Sequence, residues 1–268
     1  MFPLFRKTVS IKHKSLLIYI LICVALVWMY VAIFPSFSKD AAEMTKVFEN
    51  FPAELFEAFD VNAATMLTSI EGFLSMEQYS IMWPIIVIIL VISLGASAFA
   101  AEVEQGTIEV LLSQPLSRAK IFWAKYLAGL FIIFLFVFFS VASILPFARL
   151  HNVAIDLSAH FWMGILGLLF AVSIYSMAIL FSSIFSSKGK VSSAVAGILI
   201  FMYAADILAS LKESLDNLRY VSFFYYFDHN VALLERHIAS LSIAVFLSVT
   251  VVCTLVGLVV FTKRDIAV

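Results

Sequence analysis

The stretch YLAGLFIIFLFVFFSVASILPFA, residues 126–148, decides the fold class, because it contains no Asp, Glu, Lys or Arg. A hydrocarbon core about 30 Å thick is crossed by about 20 consecutive apolar residues in an α-helix. A helix pairs its backbone N–H and C=O groups internally, whereas a lone strand in lipid leaves them unpaired. The stretch therefore predicts a membrane-spanning helix.

Similar runs recur on both sides of this stretch. Residues 15–38, 78–101, 157–187 and 237–262 also lack charged side chains, and residues 191–211 are interrupted only by Asp206. The sequence therefore predicts an all-α membrane protein with one polytopic domain, residues 1–268, since no remaining segment is large enough for a separate soluble domain. The six predicted spans are residues 15–35, 79–101, 121–148, 160–184, 191–211 and 238–262.

The composition agrees with this class. Of 268 residues, 63% are apolar and 13% are charged, whereas soluble domains have about 45–50% and about 25%. These values exclude a water-soluble globular protein and a disordered chain. A net charge of −1 does not indicate a nucleic-acid-binding protein. The two cysteines lie inside apolar runs, which indicates neither a disulfide framework nor a metal site.

The distribution of Lys and Arg predicts the orientation. Placing both termini in the cytoplasm leaves 11 of the 17 basic residues in inner segments, as the positive-inside rule favours. The basic residues ahead of the first span predict an amphipathic elbow helix along the cytoplasmic headgroups. Outside, residues 36–77 carry apolar residues at helical spacing, which predicts an amphipathic segment broken near Pro52.

The inner loop between spans two and three predicts a short helix. Thr107 stands where it can cap the helix, Glu109 falls in the first turn, and Pro115 ends it. Ser117 is placed to cap the third span. The apolar residues Ile108, Leu111 and Leu112 share one face of this helix. Such a helix is suited to lie in a groove on another protein.

The same loop resembles the permease subunits of type-2 ATP-binding-cassette (ABC) transporters. The end of the chain, FTKRDI at residues 261–266, and EGFL at residues 71–74 are also similar to that family. The residues of the loop that match are Glu102, Glu104, Gly106, Thr107, Glu109, Leu111, Leu112, Pro115, Ser117, Arg118 and Lys125.

The resemblance implies a function for these residues. Residues 102–118 would form the coupling helix, which docks on a separate cytosolic ATPase, and Arg264 and Asp265 would make a secondary cytoplasmic contact. In that docking, Glu102, Glu104 and Glu109 would pair with basic residues of the ATPase. Its groove would be filled by Ile108, Leu111 and Leu112. Six spans form half a pathway, so a second permease chain and two ATPase copies are implied as partners, in a bacterial or archaeal cell membrane. The residues implied in coupling are Glu102, Glu104, Gly106, Thr107, Ile108, Glu109, Leu111, Leu112, Pro115 and Arg118.

The chain itself lacks the machinery for ATP hydrolysis. No G-x-x-x-x-G-K-[ST] motif occurs in the sequence, and that motif supplies the backbone N–H groups that hold nucleotide phosphates. We therefore expect a transport subunit that is not an enzyme and binds no cofactor, with ATP and magnesium held by the ATPase.

The charged residues within the spans indicate the class of substrate and bear on the alternative functions. Asp206 is the one formally charged residue in a predicted span, which makes it either a pathway residue or a structural hydrogen-bonding group. The scarcity of embedded charge favours export of a hydrophobic or amphipathic substrate, such as a peptide, lipid or drug. An ATP-independent secondary transporter or channel is the alternative, and an intramembrane enzyme is less well supported because Asp206 has no second catalytic group beside it.

Overall fold

Every regular element of the protein is helical within residues 1–39 and 68–264, the ranges that the computed structural model describes. The helices are α1 (Phe2–Lys39), α2 (Ile70–Ala96), α3 (Ala100–Glu104), α4 (Ile108–Leu112), α5 (Arg118–Leu150), α6 (Leu157–Ile184), α7 (Lys188–Leu211), α8 (Phe223–Tyr226) and α9 (Ser240–Lys263). Within α2, Ser75–Met82 is π-helical, and a turn at Ser143 divides α5. A 3₁₀-helix, Glu213–Val221, and a π-helix, Val231–Glu235, flank α8.

Six of these helices are long and apolar enough to cross a membrane, namely α1, α2, α5, α6, α7 and α9. This confirms the six spans predicted from the sequence. Their boundaries differ from the predicted ones: α2 begins nine residues earlier than expected and ends at Ala96, because a turn over residues 97–99 separates it from α3. Of the predicted outer segment 36–77, residues 40–67 lie outside the described residues.

The first helix differs most from the prediction. An elbow helix that turns into a span was expected, but α1 is one continuous helix of 38 residues. At 1.5 Å per residue it is about 57 Å long, almost twice the hydrocarbon thickness. The physical reason is that this segment contains no glycine, and of its two prolines Pro3 lies in the first turn, where proline is tolerated.

Helix α6 forms the centre of the bundle and packs against α2, α5, α7 and α9. Small residues permit the closest of these contacts. A Cβ on Gly95 of α2 would lie 2.4 Å from the Ala178 Cβ of α6, and a Cβ on Gly167 would lie 2.7 Å from the Trp83 ring. Close packing of this kind stabilises helix association in lipid, where the hydrophobic effect does not drive it.

All six long helices expose apolar side chains, and α1, α7 and α9 provide examples. Leu17, Leu21, Phe201, Val251 and Leu255 on α1, α7 and α9 are each about half exposed or more. Surfaces of this composition are suited to lipid.

Termini of all six long helices lie together at one end of the bundle. Helices α1, α5 and α7 begin, and α2, α6 and α9 end, at the same end of the bundle. Hydrogen bonds join the start of α5 and the end of α6 to the end of α9, and the start of α7 to α3. The first turns of α1 and the last turn of α2 line a common cavity with Lys125 and Lys188. We call it the basic end, because Lys7, Lys12, Lys125, Lys188 and Arg264 lie there. The segment 102–118 also lies at this end.

Candidate functional site

A tight turn at Gly106 divides the segment 102–118 into two short helices. Gly106 has φ +69°, a left-handed backbone conformation that is unfavourable for residues with a Cβ. Its N–H donates to the Val103 carbonyl at 3.1 Å, which closes the end of α3. The turn therefore fixes the direction in which α4 leaves α3.

An ion pair between the buried Lys125 and the half-buried Glu102 joins this segment to α5. The Lys125 Nζ lies 2.6 Å from Glu102 Oε1 and also donates to the Ala98 carbonyl at 2.6 Å, while Lys125 is only 5% exposed. The Thr107 hydroxyl donates to Glu102 Oε2 at 2.5 Å. Both carboxylate oxygens of Glu102 thus have partners within the chain.

The same contacts set the charge of Glu102. Burial favours the neutral acid and so raises its pKa, but the attraction of Lys125 and the hydrogen bonds from Lys125 and Thr107 outweigh burial. The net effect is that the pKa of Glu102 is lowered from its ordinary value. Glu102 is therefore a carboxylate at neutral pH.

Glu104 holds the start of α7. Its Oε2 accepts from the Lys188 backbone N–H at 2.9 Å, and its Oε1 accepts from the Ser187 hydroxyl at 3.2 Å. Ser187 is the N-cap position of α7 but makes no side-chain capping bond itself. A carboxylate at a helix N-terminus pairs an otherwise unsatisfied N–H and interacts favourably with the helix dipole.

Two arginines connect the ends of three long helices. The Arg118 Nη1, at the start of α5, donates to the Arg264 carbonyl at 2.5 Å just after the end of α9. The Arg264 Nη1 in turn donates to the Ser183 and Phe185 carbonyls, at 3.0 and 3.2 Å, where α6 ends. Arginine is well suited to this position because its planar group carries five donors.

A serine of α6 fixes the junction between α2 and α3. The backbone N–H groups of Phe99 and Ala100 both donate to the Ser182 Oγ, at 3.2 and 2.9 Å. The segment that follows α2 is therefore bonded to α5, α6 and α7, and a displacement of the segment acts on all three.

Helix α4 has one buried face and one exposed face. Ile108 is fully buried and Leu111 is 6% exposed, both packed in the core of this chain, whereas Val110 is 68% exposed. Glu109 is exposed as well, and nothing within residues 1–39 and 68–264 forms an ion pair with it. The surface that α4 presents is therefore Glu109 and Val110, with Gln105 and Gln114 at its edges.

The structure changes three expectations about this segment. Ile108 and Leu111 were expected to lie in a groove of the partner, but they are buried in this chain because α4 packs on its own bundle; Leu112 is half-buried. Glu102 and Glu104 were expected to pair with a partner but have partners within the chain. Thr107 is the N-cap position of α4, as predicted, but its hydroxyl bonds Glu102 instead of capping the helix.

The remaining sequence-based expectations have different outcomes. Ser117 caps α5 as predicted, accepting from the Lys120 N–H at 3.4 Å, and the exposed Pro115 lies in the turn after α4. Asp265 lies outside the described residues. Asp206 is half-buried in α7, one turn beyond Tyr203, far along the helix from the basic end.

Sequence reasoning missed the partners of these residues. Lys125 was part of the matching pattern but had no assigned contact, and the bonds that Arg264 makes to the end of α6 join residues about 80 positions apart. The signal that could have indicated this ion pair is the position of Lys125 directly before the charge-free residues 126–148. In the described ranges no group of three His, Cys, Asp or Glu side chains is arranged to hold a metal ion.

Comparison with known proteins gives the family. The model of the family described as "ABC-2 family transporter protein" matches residues 7–266. The chain belongs to this family. No curated protein matches the chain significantly.

Membership of the ABC-2 transporter family establishes the general role of the chain. Together with the six apolar helices, it makes the protein a multi-pass membrane component of a transporter. Permeases of this family generally lack a nucleotide-binding domain of their own, which implies an ABC ATPase partner and typically a dimer. The predicted resemblance to type-2 ABC permeases is confirmed.

Proposed function

We propose that the chain is the permease subunit of an ATP-driven exporter, energised by a separate ATPase that docks on the segment 102–118. The single observation that carries this proposal is the position of α4. One face is anchored in the bundle by Ile108 and Leu111, and the other face, with Glu109 and Val110, is exposed. A partner can therefore press on α4 without separating it from the bundle.

The bonds around α4 provide the route by which such a force reaches the spans. Glu102 is tied to α5 and Glu104 to the start of α7. Phe99 and Ala100 are tied to α6 through Ser182. Rigid elements joined in this way move together, so closure of the ATPases would shift several spans as one body.

The proposal includes an orientation and an assembly. The basic end would face the cytoplasm with both termini, as the excess of Lys and Arg there favours. Two ATPase copies, holding ATP and magnesium, and a second permease chain would complete the transporter. The substrate class proposed is hydrophobic or amphipathic, because the charged residues of the long helices lie towards the helix ends, as Glu77, Lys125 and Asp206 do.

Affinity purification of the tagged chain from native membranes tests this function. We expect a nucleotide-binding subunit to copurify, as identified by mass spectrometry and ATPase activity, and to be lost in Val110→Asp. A matched control is Tyr220→Asp, an exposed position beyond the far end of α7. A chain that transports without ATP and purifies without an ATPase would contradict the proposal and favour a secondary transporter.

A further inference from the structure

A cavity of about 530 Å³ lies at the basic end, between the first turns of α1 and the segment that follows α2. Four lysines line it, Lys7 and Lys12 from α1, Lys125 from α5 and Lys188 from α7. The one carboxylate in its wall is Glu102. The cavity therefore carries a clear excess of positive charge.

Pairing within the chain leaves most of this charge unbalanced. Glu102 is bonded to the buried Lys125. Nothing within residues 1–39 and 68–264 forms an ion pair with Lys7, Lys12 or Lys188. Lys12 is half-buried, and Lys7 and Lys188 are exposed at the mouth of the cavity. Like charges gathered beside an apolar wall attract a counter-ion, because the low-dielectric wall concentrates the field.

The rest of the cavity wall is apolar. Leu4, Leu94 and Ile132 contribute to it, and Ile11, which also lines the cavity, is 65% exposed. Leu17 and Leu21, further along α1, are also exposed and are suited to face lipid acyl chains. The cavity thus combines ammonium groups with apolar surface beside the part of α1 that enters the membrane.

We propose that this cavity binds a phosphate-bearing anion, with the headgroup of an anionic phospholipid in the adjoining leaflet as its source. Lysine ammonium groups bind phosphate oxygens as point charges. Basic pockets between membrane helices on the cytoplasmic side bind lipid headgroups of this type. An acyl chain attached to the phosphate would contact the apolar wall, which a free anion leaves uncovered.

The site has a direct relation to the segment 102–118. Thr107, Val110 and Leu111 also line the cavity, so a bound headgroup would lie between α1 and α4. Val110, 68% exposed, belongs both to this cavity wall and to the face of α4 proposed for ATPase docking. Binding there would hold the first turns of α1 against α4. This effect does not depend on the identity of the transported substrate or on the presence of an ATPase.

Lipid binding by the full chain in nanodiscs tests the proposal. The chain is reconstituted in phosphatidylcholine with or without phosphatidylglycerol, and retained lipid is measured by native mass spectrometry together with the melting temperature. The cavity variant is Lys12→Gln with Lys188→Gln. The control is Lys14→Gln with Lys190→Gln, which removes the same charge two residues away on the same helices, at exposed positions outside the cavity.

We expect the wild type and the control to retain phosphatidylglycerol and the cavity variant to bind it about tenfold more weakly or worse. Inorganic phosphate added to phosphatidylcholine discs separates the two sources of the ligand. Stabilisation by phosphate alone, lost in the cavity variant, would support the phosphate site and assign it to a solution anion.

Three results would overturn the proposal. One is an equal loss of bound phosphatidylglycerol in the cavity and control variants, which would indicate non-specific electrostatic attraction. Another is the absence of any preference for phosphatidylglycerol and of any effect of phosphate. The third is lipid binding unchanged in the cavity variant while copurification of an ATPase is lost, which would assign the lysines to an acidic protein surface.

Discussion

The buried Lys125 ammonium lies 2.6 Å from the carboxylate of Glu102, a side chain that is 31% exposed, and this ion pair holds the segment after α2 to α5. Burying the Lys125 charge without Glu102 is costly, because one hydrogen bond to the Ala98 carbonyl does not replace the water that the ammonium loses. The pair therefore stabilises the fold chiefly when both Glu102 and Lys125 are present.

Glu102→Gln is expected to lower the free energy of unfolding by about 1–3 kcal/mol, because it leaves the Lys125 charge buried without a counter-charge. The double variant Glu102→Gln, Lys125→Met should recover much of this loss. Thermal unfolding of the purified chain measures both. Additive losses in the double variant would contradict a direct interaction, and Glu109→Gln, at an exposed position, is the control.

The same pair predicts a dependence on pH. The pKa of Glu102 is lowered in the folded protein, so its contribution to stability is present above the unfolded value, about 4.3, and is lost as the pH falls through the lowered pKa. The melting temperature of the wild type should therefore fall more steeply than that of Glu102→Gln on acidification. Parallel curves for the two proteins would show that Glu102 does not contribute in this way.

Neighbouring positions on α4 are expected to separate stability from docking. Leu111 is 6% exposed and Val110 is 68% exposed. Leu111→Asp should lower the melting temperature strongly, because it buries a charge, whereas Val110→Asp and Glu109→Lys should leave it unchanged and abolish ATP-dependent transport. Normal transport in Val110→Asp would show that this face of α4 does not bind the ATPase.

Much of the fold, and less of the candidate site, could be predicted from the sequence. Runs such as residues 126–148 determine spans by composition alone, and Ser117 caps α5 through a bond three residues away. The bonds of Glu102 to Lys125, of Glu104 to Lys188 and of Arg264 to Ser183 depend on tertiary structure, since the two residues of each bond lie 23 to 84 positions apart in the chain. The apolar face of α4 was predicted correctly, but periodicity does not distinguish burial in the same chain from burial in a partner.

The turn between α3 and α4 gives a further prediction. Gly106 has φ +69° and open space around its missing Cβ, so Gly106→Ala carries a backbone cost of about 1–2 kcal/mol and no steric clash. Gly106→Asn should cost less, because asparagine tolerates this conformation. Thermal unfolding and transport assays of both variants test it, and an alanine variant as stable as the asparagine variant would contradict the strain argument.

Glu104 should control the order of the first turn of α7. Glu104→Ala removes the acceptor of the Lys188 N–H, and loss of such a cap costs about 0.5–2 kcal/mol. Hydrogen exchange at the start of α7 should become faster, with Glu109→Ala as the control on the adjacent helix. Unchanged exchange in Glu104→Ala would show that Glu104 does not hold this terminus.

Photo-cross-linking from α4 in native membranes tests whether an ATPase docks on this helix. A benzophenone amino acid replaces Val110, and as a control the exposed Tyr220 beyond the far end of α7. We expect a covalent adduct with a nucleotide-binding subunit from position 110 and none from position 220. An active transporter that gives no such adduct from position 110 would contradict docking on α4.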